Sequence, residues 1–233
     1  WWPRGKVLGG SSSINAMCYI RGHAKDYDEW EQLGAEGWNW KNVLPYFRKS
    51  EGNVRGASAL HGGDGPLTVS DPRHLNPLTP VFVEAARQAG FDGNDDFNGV
   101  QQAGFGLYQT TTRAGRRCSS AVAYLNPARR RKNLTVITKA TASRVLFDNG
   151  KASALVYAID GKGGFCEAAG REIILCGGSI NSPQLLMLSG IGPAAQLRRH
   201  GIEVLVDAPG VGGNLQDHLD VCTLRKCTQD ITY

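Results

Sequence analysis

The sequence lacks most of the short motifs that would place it quickly. No C-x-x-C pair occurs among its six cysteines, at positions 18, 118, 166, 176, 222 and 227. The Cys222/Cys227 spacing has no second Cys or His pair to complete a zinc site. No G-x-S-x-G elbow surrounds any serine, which argues against a serine hydrolase, and no P-loop is present. No apolar run approaches the roughly 18 residues that a membrane span needs. No secretory leader pattern is visible, and internal repeats and low-complexity linkers are absent. The chain also lacks an initiating Met: it opens on Trp1-Trp2-Pro3 and stops at Tyr233, just after an expected strand. Both ends read as cut from something longer.

What is there suits an ordinary globular protein. Its 233 residues are 41% hydrophobic and 20% charged, enough to bury a real core. Most of the 30 glycines sit in short clusters, as tight turns or close backbone approach to a ligand would require. The net charge is +5, with its densest run at Arg129, Arg130, Arg131 and Lys132, flanked by Arg116 and Arg117. That run follows an expected helix without interleaved aromatics, so it reads as a solvated face and not as a nucleic-acid footprint. Cys18, Cys118 and Cys176 stand beside apolar residues and read as small buried thiols. Free thiols in this number fit a reducing compartment.

Helix and strand signals are mixed. The Ser12–Tyr19 stretch is expected to be helical. Asp26 is expected to cap a helix towards Leu33, with Glu29 completing a capping box. Further helices are expected over Lys41–Ser50, Pro80–Ala89 ended by Gly90, Ser120–Leu125, Asn181–Leu188 and Ala194–His200. Gly52–Gly65 reads as loop, Leu67–Ser70 as a short strand and Gly104–Thr112 as extended chain. Strands are expected at Leu134–Thr138, Ala142–Phe147, Ala152–Ile159, Phe165–Ala168, Arg171–Cys176 and Glu203–Val206. Asn149-Gly150 and Gly161–Gly164 punctuate the middle of that series as hairpin turns, which makes a β-meander. The fold class is therefore α/β or α+β.

Several segments could carry chemistry. In Gly9-Gly10-Ser11-Ser12-Ser13-Ile14-Asn15, consecutive small residues before a helix could turn N–H groups and hydroxyls on an anion. A flexible surface loop is the plainer reading, but the apolar Ala16-Met17-Cys18-Tyr19-Ile20 that follows is unlike a linker. Gly177-Gly178-Ser179-Ile180-Asn181-Ser182-Pro183 lies between an apolar strand and a helix. That is where α/β folds bring backbone to a cofactor, or simply where helix packs closely on strand. Gly190-Ile191-Gly192-Pro193-Ala194-Ala195 satisfies a dinucleotide pattern but follows a helix instead of a strand, and is rejected. Asp217-His218 suits a structural or cofactor-edge role better than an acid–base pair. His23, His61 and His200 read as isolated, with His200 a cation at a helix C-terminus.

These segments together resemble a known family. Trp2-Pro3-Arg4-Gly5-Lys6-Val7-Leu8-Gly9-Gly10-Ser11-Ser12-Ser13-Ile14-Asn15 resembles the first signature of the glucose-methanol-choline oxidoreductases. Gly178 to Gly192 resembles the second, and Pro209-Gly210-Val211-Gly212-Gly213-Asn214-Leu215-Gln216-Asp217-His218 a third recurrent segment. The resemblance implies FAD on a Rossmann-like domain, with a second domain on the substrate side. By position it implies that Gly5, Lys6, Val7, Leu8, Gly10, Asn15, Ala16, Met17 and Cys18 line the flavin and pyrophosphate, and that the Val136 backbone meets the adenine. Ile14 stands where some members attach FAD through a His, so the cofactor is expected to be non-covalent. The resemblance implies FAD-binding segments over 1–65 (with a lid-like loop) and 119–220 (with the β-meander). Substrate-domain segments are implied over 66–118 and, as the start of a strand, 221–233.

The same resemblance implies hydride transfer from an alcohol carbon to the flavin while a His takes the hydroxyl proton. That His belongs beyond Tyr233, and the glycine-rich dinucleotide opening before Trp1. No catalytic residue is therefore assigned within the chain, and no metal ligand. The piece alone is expected neither to turn over alcohol nor to hold FAD tightly. Gly115 to Leu125 is similar to bacterial alcohol dehydrogenases that use a quinone or other non-oxygen acceptor, so a primary alcohol oxidised to the aldehyde is the expected reaction. Choline oxidation is the nearest alternative, followed by a non-catalytic flavin-binding remnant. The expected location is cytoplasmic, or peripheral at the inner face of a membrane.

Overall fold

A computed structural model describes residues 2–229 and 231. The chain divides into two compact units, one holding residues up to Leu134 together with those from Arg225, the other Thr135–Leu224. Helix and strand are mixed in both, as the sequence pattern requires.

The first unit is built around an aromatic cluster and a polar core. Helix α1 (Ala24–Gln32) starts at His23, whose Nδ1 accepts from the Lys25 N–H at 3.2 Å, while Asp26 Oδ2 accepts from the His23 N–H at 2.6 Å. The capping box therefore exists, but three residues earlier than expected. Asp26 is its reciprocal partner and not its cap, because the His23 ring supplies the first acceptor. Helix α2 (Trp40–Ser50) is capped by Asn39, whose side chain accepts from the Asn42 N–H at 3.0 Å. Between these helices Tyr27 packs edge-on to Trp30 at 5.3 Å and Phe47 at 5.6 Å, and stacks on Trp40 at 5.5 Å.

The chain leaves α2 directly into β1 (Glu51–Asn53), which pairs in parallel with β2 (Leu67–Val69), Glu51 opposite Leu67. The segment expected to be loop from Gly52 thus begins as a strand. Helix α3 (Leu78–Gln88) follows, its end marked by Gly90 at φ 87°. A tight hairpin joins β3 (Thr112–Arg113) to β4 (Arg116–Arg117). A π-helical turn, Ala121–Leu125, then runs into the short α4 (Asn126–Ala128). The Arg129–Lys132 run beyond it is exposed, as a solvated face should be.

Under β1 lies a set of buried polar groups. Glu51 is 0% exposed, and its carboxylate accepts from Arg21 Nη2 at 2.6 Å, Asn53 Nδ2 at 2.9 Å and the Gly62 N–H at 3.0 Å. His61 Nδ1 stands 2.9 Å from Glu51 Oε1, and its Nε2 stands 2.9 Å from Asp96 Oδ2. His61 is therefore not isolated: its two ring nitrogens stand within hydrogen-bond distance of two carboxyl groups, those of Glu51 and Asp96. Gln109 Oε1 accepts from Asn53 Nδ2 at 2.8 Å, and Asn98 Oδ1 from the Arg21 N–H at 2.7 Å.

The second unit carries the meander. Strands β5 (Ala140–Asp148), β6 (Lys151–Ile159) and β7 (Cys166–Ala169) form an antiparallel sheet in that order. Asn149 and Gly150, at φ 47° and 76°, make the β5–β6 turn, the two positive angles that a tight hairpin of this hand requires. Helix α5 (Gly178–Leu188) is tied to β5 through Ser189, whose Oγ accepts from the Val145 N–H at 2.8 Å and donates to the Leu185 carbonyl at 2.6 Å. Strand β8 (Ile191–Gly192), helix α6 (Ala194–Arg199) and β9 (Val206–Asp207) complete the unit, with Leu197 1% exposed at its centre. His200 is the C-cap of α6, the position its neighbour Gly201 suggested.

Four other expectations are corrected. The helix expected over Ser12–Tyr19 is only a 3-10 turn, Gly10–Ser13, because Met17 adopts φ 64° and Cys18 bridges to Thr110. Neither Leu134–Thr138 nor Arg171–Cys176 forms a strand, since no described residue offers either one a ladder partner, and Ile174 is left 80% exposed. The strand expected at Glu203–Val206 is displaced to β9, where β8 supplies the partner. Of the three thiols expected to be buried, only Cys118 is; Cys18 and Cys176 are exposed.

Replacing Glu51 by Gln should destabilise the folded protein by about 3–5 kcal/mol, because it leaves the buried Arg21 guanidinium without its counter-charge. The exposed Arg55–Asp71 pair, at 2.7 Å with side chains 42% and 47% exposed, is the control. Asp71→Asn should cost less than about 1 kcal/mol. Urea unfolding of both variants checks the contrast, and equal losses would refute it.

Candidate functional site

The first glycine–serine motif folds as a tight, internally bonded loop and not as an open cradle. The Gly10 N–H donates to the Val7 carbonyl at 2.8 Å, and the N–H groups of Ile14 and Asn15 share the Ser11 carbonyl at 3.1 and 2.9 Å. Ser13 Oγ donates to the Leu8 carbonyl at 2.8 Å, and Ser12 Oγ to the Gly9 carbonyl at 2.5 Å. Ser11 Oγ accepts from the Gly5 N–H at 3.4 Å. Of the serine hydroxyls expected to face an anion, those of Ser12 and Ser13 are thus engaged inside the loop, while Ser11 is exposed. Two glycines make the knot possible. A Cβ on Gly5 would run into the Gly10 carbonyl, and one on Gly9, at φ 89°, into Ser13 Oγ. Gly10, at φ 54°, is the opposite case: nothing lies within 4 Å of where its Cβ would stand, so its outer side is open.

A strap of chain from Gln109 to Ser120 holds this loop from behind. The Gln109 carbonyl accepts from the Tyr19 N–H at 2.8 Å, and the Thr111 N–H donates to the Met17 carbonyl at 2.9 Å. The Ser120 N–H donates to Ser12 Oγ at 2.9 Å, and Ser120 Oγ to the Gly9 carbonyl at 3.1 Å. Arg117 Nη1 reaches the Ser12 carbonyl at 3.2 Å, the Asn15 carbonyl at 2.8 Å and Asn15 Oδ1 at 2.7 Å. At the far end of the loop, burial pushes the Tyr19 phenol above the ordinary tyrosine range, while the neighbouring Arg21 guanidinium pulls the other way.

The residues expected to line a cofactor fall into two places. Gly5, Lys6, Val7, Leu8, Gly10, Asn15, Ala16, Met17 and Cys18 lie along this one loop. Val7 is 55% exposed and Leu8 37%, with Ile14 beside them at 52%. Val136 belongs to the second unit, where it is 39% exposed. That unit also holds the second glycine motif. The Gly177 N–H donates to Ser182 Oγ at 3.0 Å, and Gly178, at φ 82°, opens α5. The rejected dinucleotide pattern at Gly190 follows α5, as its sequence context indicated. Asp217 and His218 are exposed, and Asp217 Oδ1 accepts the His218 N–H at 2.9 Å. Among the described residues no cluster of His, Cys, Asp and Glu could hold a metal ion.

Sequence reasoning missed the supporting residues. Arg117 counted as part of a basic run, yet it is partly buried against the loop, while Arg116 points to solvent. The alternation along a two-residue strand is the signal that separates them. Ser120 drew no attention, although its segment carried part of the resemblance. A groove of about 880 Å3 between α1 and α2, lined by Tyr27, Trp30, Trp38, Val43, Tyr46 and Phe47 among others, includes no residue of the loop.

The GMC oxidoreductase family matches residues 1–220. A mitochondrial choline dehydrogenase of Mus musculus is 52% identical over 232 residues, 100% of this chain and 39% of that protein. An oxygen-dependent choline dehydrogenase of Brucella anthropi is 51% identical over 230 residues, 99% of this chain and 42% of that protein. Among solved structures, pyridoxine 4-oxidase from Mesorbium loti superimposes with a TM-score of 0.83 at 34% identity, covering 89% of this chain and 41% of that one. The chain thus spans about two fifths of the length of the curated relatives it matches.

The left-handed Met17 is a local prediction of the loop geometry. Its φ of 64° is costly for a side chain and free for glycine. Met17→Gly should therefore raise stability by roughly 0.5–1 kcal/mol, the relieved backbone strain less the unfolded-state entropy that glycine adds, read as an upward shift in thermal unfolding. A downward shift would mean that packing of the Met17 side chain outweighs the backbone strain.

Proposed function

The chain belongs to the GMC oxidoreductase family, whose members bind FAD, and from that premise we propose that the protein carrying it oxidises choline, or a closely similar primary alcohol, to the aldehyde. The observation that carries this reading is the identity of 50–52% with mitochondrial and bacterial choline dehydrogenases along essentially the whole chain. It moves choline ahead of the unspecified primary alcohol that the Gly115–Leu125 segment suggested. FAD, when bound, supplies the hydride acceptor.

The loop supports the cofactor part of the reading. The Ser12 and Ser13 hydroxyls and most of its turns are satisfied internally, so it keeps its shape without a ligand. Its open side carries apolar Val7, Leu8 and Ile14, the unobstructed backbone at Gly10, and the polar Asn15. A flat heteroaromatic ring with polar edges fits such a face, with Gly5, Lys6, Val7, Leu8, Gly10, Asn15, Ala16, Met17 and Cys18 as the residues that would hold it. Val136 is assigned to the adenine end on the resemblance alone. Ile14 has no group able to form a covalent bond to the flavin, so the cofactor is read as non-covalent. The supporting strap explains how the chain keeps this face fixed: a bound ring is oriented best by backbone that need not reorganise.

The test uses the full-length protein. It should purify yellow and release all of its flavin on acid precipitation. It should reduce a dye or quinone acceptor when choline is added, faster than it consumes dissolved oxygen. Flavin that stays with the acid precipitate would overturn the non-covalent assignment. A colourless protein that cannot be loaded with FAD would overturn the function itself. A flavoprotein inert towards choline but active on other primary alcohols would restore the broader reading.

A further inference from the structure

The hydrogen bonds around Asn15 assign a direction to its amide. Asn15 Oδ1 accepts from the Met17 N–H at 3.1 Å and from Arg117 Nη1 at 2.7 Å. Both partners can only donate, so the atom facing them must be the oxygen, and its two lone pairs are taken. The amide nitrogen therefore turns the other way, on an exposed residue, and among the described residues no acceptor meets it. Nη1 of Arg117 also holds the Asn15 and Ser12 carbonyls, at 2.8 and 3.2 Å. One guanidinium thus fixes both the backbone and the side-chain orientation of Asn15. The hairpin that delivers it is itself shaped for this. Ala114 and Gly115, at φ 49° and 77°, turn the chain so tightly that Arg116 faces solvent and Arg117 faces the loop.

We propose that Arg117 is a positioning residue that sets the polarity of Asn15, so that Asn15 Nδ2 presents its two N–H groups to an acceptor atom of the bound flavin. The inference rests on the flavin reading of the loop given above. It adds which atom of Asn15 faces the cofactor and which residue compels it. Arg117 does not touch the cofactor; it acts through Asn15.

The test is a double-mutant cycle in the full-length flavoprotein, with FAD dissociation followed by flavin fluorescence and the flavin midpoint potential measured alongside. Asn15→Leu removes the donor and should raise the FAD Kd about tenfold, which corresponds to about 1.4 kcal/mol. Arg117→Met frees the amide to rotate and should raise it by a similar factor. The two together should do no more than either alone, because they remove one interaction. Arg117→Lys keeps a cation near the loop but replaces the planar guanidinium by a compact ammonium. It should weaken FAD about threefold in the wild-type background and not at all beside Asn15→Leu, and it serves if Arg117→Met does not fold. The midpoint potential should shift in the same direction in Asn15→Leu and Arg117→Met, which a loss of general stability would not produce. Unchanged Kd in the Arg117 variants, or effects that multiply towards a hundredfold, would overturn the proposal while a flavin-loaded wild type leaves the functional reading intact. A wild-type protein without flavin would overturn both.

Discussion

Glu51 has no access to water, and the first unit is organised around the hydrogen bonds that meet its carboxyl group. Arg21, Asn53 and the Gly62 N–H donate to it and His61 Nδ1 lies against it, and those partners come from the segment after the glycine–serine loop, from β1 and from the turn beyond it. The pattern extends outward through Asp96 on His61, Asn98 on the Arg21 N–H and Gln109 on Asn53. A buried ion pair rarely gains much over an apolar pair of the same shape, but a broken one is costly. The network therefore acts as a geometric constraint: chain segments far apart in sequence must meet in one arrangement, or a charge is left bare.

That constraint reaches the candidate site by a short path. Gln109, which closes the network, is also the residue whose carbonyl takes the Tyr19 N–H at the end of the loop. From there the strap runs on through Thr110 and Thr111 to Arg117 and Ser120, contacting the loop at Cys18, Met17, Asn15, Ser12 and Gly9. The strap thus holds the loop from Gly9 to Tyr19, while Val7, Leu8, Ile14 and Asn15 stay exposed. A site made of small residues gains its precision from such support, since serine and glycine side chains have little packing of their own to offer.

Much of this organisation was legible in the residues. Periodicity marked α2, α3, α5 and α6 within a few positions, and Asn149-Gly150 marked the meander through the backbone angles it demands. The expected strands at Leu134–Thr138 and Arg171–Cys176 failed for a different reason. Their composition suits a strand, but a strand exists only where another strand takes its hydrogen bonds, and the described chain supplies none. The expected helix at Ser12–Tyr19 failed because Cys18 found a partner in Thr110, some ninety residues on, which no local signal announces. His61 and Arg117 were misjudged on the same ground: a lone histidine and a member of a basic run acquire their roles only from partners distant in sequence.

The sequence by itself therefore determined the mixed helix–strand class, the meander, the position of the glycine-rich loop and, through three long motifs in order, the oxidoreductase family. The first three are properties of spacing and residue type, which local sterics and periodicity translate directly into backbone form; the family rests on the resemblance of its motifs. Only the tertiary structure decided that the Ser12 and Ser13 hydroxyls bond back into the loop, that Asn15 turns its oxygen to Arg117, and that Arg117, His61 and Glu51 carry the support. Those outcomes depend on hydrogen bonds between groups dozens of residues apart. A donor or acceptor can be counted in a sequence, but its direction is set only when its partner arrives.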